Sequence, residues 1–97
     1  PMLVALREGT AVEFTPFDLA PFFHRRATRA LIAVRPAHGV AVTVARNPGG
    51  LGATTFEAPA TLAFEAVEGD APTVGHYRNA RVGGSATITV LGFEETL

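Results

Sequence analysis

In this chain of 97 residues, reactive chemistry would have to be built from three histidines, one serine and nine carboxylates, with no cysteine. Histidine is the commonest general base near neutral pH and the commonest metal ligand. His24, His38 and His76 lie far apart, however, and none belongs to a ligand pair such as His-x-x-x-His. Without a thiolate to complete a set, a metal centre would need the fold to gather carboxylates around them, so turn and surface positions are the simpler reading. Ser85 is the single serine, and it stands in Gly83-Gly84-Ser85-Ala86 at a strand start, without the Gly-x-Ser-x-Gly elbow that lifts a nucleophile onto a turn. Gly49-Gly50-Leu51-Gly52 follows Asn47-Pro48 and leads into no helix whose N-terminus would hold a phosphate, so it reads as a loop. Glu57, Glu65, Glu68 and Asp70 are near one another in sequence, as a glycosidase pair or a calcium loop would require. They contain no Asp-x-Asn-x-Asp-Gly pattern, and Glu68-Gly69-Asp70 is turn chemistry. The expectation is a protein that is not an enzyme, with no catalytic residue, no metal and no cofactor.

What remains is binding. The run His24-Arg25-Arg26-Ala27-Thr28-Arg29 is basic and is preceded by Phe22 and Phe23, with Phe14 and Phe17 a little upstream. Phenylalanine most often fills a core, and these four have that reading at one end of the fold. In the other reading they are interface anchors, since large buried aromatics and arginines carry much of the energy of protein contacts. The candidate protein-interface residues are therefore Phe17, Phe22, Phe23, Arg25, Arg26 and Arg29. Arginines beside aromatics also suit nucleic acid, but a net charge of −1 and a pI near 6.3 give no basic footprint, so no nucleic-acid partner is expected.

Charge is divided along the chain. Residues 19–56 hold no acid and carry +5 from Arg25, Arg26, Arg29, Arg35 and Arg46, whereas residues 57–97 carry −4 and residues 1–18 carry −2. Such segregation favours charge-complementary contact with a partner or a second copy. All eight basic residues are arginine, which a GC-rich genome would explain without selection for bidentate contacts.

The elements that must position these groups are strands. Ala86, Ile88 and Val90 alternate with Ser85, Thr87 and Thr89, which predicts a half-buried strand entered through Gly83-Gly84. Val40, Val42 and Val44 repeat the pattern up to Asn47-Pro48-Gly49-Gly50. Residues 29–35 precede them across Pro36-Ala37-His38-Gly39, which reads as a hairpin turn. Further strands are expected at 3–6, 10–14, 61–67 and 77–82, about seven in all. Asp18 is a suitable cap for a short helix over 18–27, with Pro21 in its first turn, and helix and loop both stay open for that segment.

A hydrophobic fraction of 47% and a charged fraction of 18% suit a folded chain, and the length suits one domain over residues 1–97. There is no apolar run of eighteen residues and no basic-then-apolar leader, so no membrane partner is expected. The fold class expected is all-β, an antiparallel β-sandwich of jelly-roll type.

Three functional expectations follow. Residues 28–93, with the turn Gly69-Asp70-Ala71-Pro72, the stretch Val74 to Val82 and the terminal strand Ser85 to Phe93, resemble the small β-sandwich head-decoration (cement) proteins and related structural virion proteins of tailed bacteriophages. The resemblance implies a virion component, assembled in the host cytoplasm, that binds capsid or other virion subunits and forms homo-oligomers. A carbohydrate-binding adhesion module is the alternative, although sugar sites favour aromatic platforms with amide partners and the chain has no Trp, one Tyr (Tyr77) and only Asn47 and Asn79 as side-chain amides. Pro1-Met2-Leu3-Val4 also resembles the first strand of the tautomerase superfamily, which implies Pro1 as a general base with nearby arginines holding an acidic substrate. That family needs a long helix after its first strand, whereas residues 40–97 read almost entirely as strand.

Overall fold

Alternating Val, Ile and Ala give each long strand one face to bury, and the computed structural model packs those faces together across two sheets. It describes residues 3–19, 27–65 and 74–95. In chain order the strands are β1 (Leu3–Gly9), β2 (Thr15–Asp18), β3 (Ala27–Ala37), β4 (Val42–Ala45), β5 (Thr54–Phe56), β6 (Ala60–Glu65), β7 (Val74–Asn79) and β8 (Ser85–Glu95). One sheet has the order β1-β8-β3-β6 and the other β2-β7-β4-β5, and every neighbouring pair is antiparallel.

The order has a simple origin. Strands 1 and 8, 2 and 7, 3 and 6, and 4 and 5 are partners, as in one long antiparallel hairpin doubled on itself. Rolling that hairpin brings β8 against β3 and β7 against β4, which is the jelly roll. The chain is thus an antiparallel β-sandwich, as its alternation predicts.

Ala30, Ile32 and Val34 of β3 and Ala86, Ile88 and Val90 of β8 form one side of the core. Val42, Val44, Phe56, Tyr77 and Phe17 form the other, with Leu19 fully enclosed just after β2. The apolar period of two leaves Leu31, Ala33 and Arg35 on the outer face of β3, beside Thr87 and Thr89.

Four expectations change. The segments at 29–35 and 40–45 do not form a hairpin, because β3 is paired on both sides by β8 and β6 while β4 is paired by β7 and β5. The turn between them carries the chain from one sheet to the other, so that Val34 and Val42 meet in the core rather than side by side. The strand expected at 10–14 begins at Thr15, because Ala11 serves the connection instead: its carbonyl accepts the Asn79 amide. The strand expected at 77–82 runs from Val74 to Asn79, and the short β5 has no counterpart among the expected strands. Asp18 ends β2 and Ala27 begins β3, so neither belongs to a helix; no described residue is helical, and residues 20–26 lie outside the described residues.

In the turn leaving β3, His38 and Gly39 both have positive φ (61° and 69°), and the Val40 amide donates to the Ala37 carbonyl at 3.4 Å. Two central residues at positive φ are the mark of a type I′ turn, which favours Asn-Gly. His38→Asn is therefore expected to raise the unfolding free energy by about 0.5 kcal/mol. Urea titration would show it as a higher midpoint at unchanged slope.

Candidate functional site

Of the predicted interface residues, Phe17 is only 3% exposed; its ring lies across Gly75 of the neighbouring β7 and belongs to the core. Phe22, Phe23, Arg25 and Arg26 lie outside the described residues, as does Pro1. Arg29 is placed by backbone register, opposite Glu65 of β6 on one side and Glu94 of β8 on the other. β3 thus lies between β6 and β8, and the backbone pairing brings three positions far apart in sequence into one register.

Tyr77, the one tyrosine a sugar site could use, is 4% exposed and faces the core. Its hydroxyl accepts from the Ala11 amide at 3.4 Å. Asn79 is enclosed as well, and its Nδ2 donates to the carbonyls of Gly9 and Ala11, both at 3.0 Å. These residues fasten the β1–β2 connection onto β7 and offer no surface to a ligand.

The glycine-rich segment is closed by its own hydrogen bonds. The Arg46 amide donates to Leu51 O at 2.9 Å, the Gly50 amide to Asn47 O at 3.1 Å and the Ala53 amide to Gly50 O at 3.1 Å. The Leu51 amide is taken by Asn47 Oδ1 at 3.1 Å. These four donors are spent within the turn. Nearby, Arg78 stacks over Phe14 with its guanidinium 5.3 Å from the ring centroid, a cation–π contact. The described residues contain no cluster of three His, Cys, Asp or Glu able to hold a metal ion.

Among the described residues, a concave trough of about 600 Å³ lies on the outer face of the β1-β8-β3-β6 sheet. Its floor is low because Ala33, Thr87 and Thr89 are small, and its rim carries Glu8, Arg35 and His38. Ser85 and Thr61 add two more hydroxyls. Glu8 is held against the floor by its amide, which donates to Thr87 Oγ1 at 3.3 Å. Among the described residues, Glu8 (φ 49°) and His38 are the two non-glycine residues with positive φ, and both are on this rim. No family model, curated protein or solved structure matches this chain. The site must therefore be read from its own residues.

The trough was not apparent in the sequence, where Ala33, Thr61 and Thr87 are ordinary outward positions of three strands. Only their common face, set by register, makes them a floor. The one advance signal was His38-Gly39, a turn dipeptide whose place on the rim depends on the sheet crossing.

Beyond the trough the same face carries apolar side chains. Leu31 is 41% exposed and Leu91 53% exposed. The β3–β8 register runs from Leu31 opposite Gly92 to Ile32 opposite Val90, so Leu91 is the extra residue of a bulge beside Leu31.

Proposed function

We propose that this chain is a structural virion protein that decorates or helps assemble a tailed-bacteriophage head by binding neighbouring protein subunits, and that it forms homo-oligomers. The observation that carries the reading is the strand order β1-β8-β3-β6 over β2-β7-β4-β5, the jelly roll that recurs in viral capsid proteins and lectins. That support is architectural, because one fold serves many functions. On this reading the protein acts by contact and not by catalysis.

The exposed pair Leu31 and Leu91 supplies the apolar centre that such a contact needs. With that apolar centre exposed, apolar contact is expected to dominate. Light scattering at low and high salt should then find a trimer or larger ring whose mass changes little with salt, and the protein should co-sediment with tailed-phage head shells. The double substitution Leu31→Asp/Leu91→Asp should weaken shell binding by about tenfold or more while the melting temperature holds. A monomer at both salts with no affinity for shells would end this reading.

A further inference from the structure

The trough is separate from the leucine pair, and its residues have a chemistry of their own. Glu8 is acceptor-only, Arg35 is donor-only and forked, and the hydroxyls of Thr61, Ser85, Thr87 and Thr89 both donate and accept. An aliphatic ligand would bury these groups unpaired. A polyanion would meet the Glu8 carboxylate. A ligand that satisfies all of them has one carboxylate for Arg35, hydroxyl donors for Glu8 and further hydroxyls along the floor. We propose that the trough is a binding site for a carboxylated sugar, with Arg35 holding the acid group and Glu8 and the threonine floor holding the ring hydroxyls.

Three observations support the site. Its volume of about 600 Å³ is in the range of small-ligand sites. A planar guanidinium accepts a carboxylate in two parallel hydrogen bonds, which gives a preference for the acid over its neutral counterpart. Left-handed backbone at a non-glycine residue costs of order 1 kcal/mol and tends to be kept at ligand-binding positions, and Glu8 on this rim is such a residue, whereas the turn accounts for His38. No Phe, Tyr or Trp is among the described residues that line the trough, so there is no broad stacking platform and the expected Kd is about 1 mM. The site does not depend on the virion reading, since it uses neither leucine.

The test is an amide-resolved NMR titration of the full chain with galacturonate trimer, glucuronate and sialyllactose, each set beside a neutral sugar of the same size. At least one acid sugar should shift the amides of Glu8, Arg35, His38 and Thr87 and bind about tenfold more tightly than its neutral counterpart. Arg35→Gln should abolish that preference and Glu8→Gln should weaken both sugars, with melting temperatures held. Thr89→Val, nearly isosteric, should weaken binding by several-fold and serves if an Arg35 variant fails to fold. The proposal is overturned if no acid sugar shifts these amides at about 10 mM. It is equally overturned by the same response to acid and neutral sugars, by shifts confined to residues 24–29, or by an equal response to free alanine, which would mark a zwitterion site.

Discussion

Asn79→Asp is expected to lower the unfolding free energy by about 4 kcal/mol near pH 7, more than its small change in shape suggests. Asn79 is 1% exposed and turns two N–H donors toward the carbonyl oxygens of Gly9 and Ala11. A carboxylate there would be desolvated and would face two acceptors, and both effects disfavour its charged form. Its pKa in the folded protein is therefore raised above the unfolded value of about 3.9. The sign follows directly. Above the folded pKa the penalty is complete, and as pH falls from there toward the unfolded pKa it shrinks by up to about 1.4 kcal/mol per pH unit. A protonated acid can donate to one of the carbonyls, so the variant approaches wild type near pH 4. Asn79→Ala removes the donors without adding charge and should cost about 2 kcal/mol at every pH. Urea midpoints of both variants and wild type across this range decide the matter, and a flat profile for Asn79→Asp would mean that the side chain has turned to solvent.

Asn79 also shows where sequence reading succeeds and where it stops. The faces of β8 and β4 were legible because alternation of Val and Ile with Thr is a property of single strands, and the buried sets Ala86, Ile88, Val90 and Val42, Val44 follow it. Pairing is a property of two strands. The segments 29–35 and 40–45, joined by a four-residue turn, have the local pattern of a hairpin, yet each finds better neighbours in strands distant along the chain. A rolled double hairpin is made almost wholly of such distant pairs. The same holds for Arg29, which is 36 positions from Glu65 and 65 from Glu94, yet the register pairs it with both. β2 was displaced because Pro16 and Phe17 interrupt simple alternation, and β5 escaped notice because three residues between a glycine loop and Glu57-Ala58-Pro59 form no periodic window. The trough needs three strands in register and two residues at positive φ, none of which a linear pattern encodes.

Phe17 was open to two readings, as core or as interface anchor, and a second large effect tests its place directly. A Cβ built on Gly75 would come within 2.8 Å of the edge of the Phe17 ring. The ring has little room to withdraw, because Phe17 is itself enclosed in the core cluster. Gly75→Ala should therefore cost about 3 kcal/mol, the upper part of the range for overpacking a core. Phe17→Leu alone should cost about 1–2 kcal/mol, since it exchanges a ring for a smaller branched chain. Together they should not add. With the ring gone the Gly75 methyl has room, so Gly75→Ala in the Phe17→Leu background should cost under about 1 kcal/mol, a coupling of about 2 kcal/mol. Simple additivity would mean that the ring does not lie across Gly75.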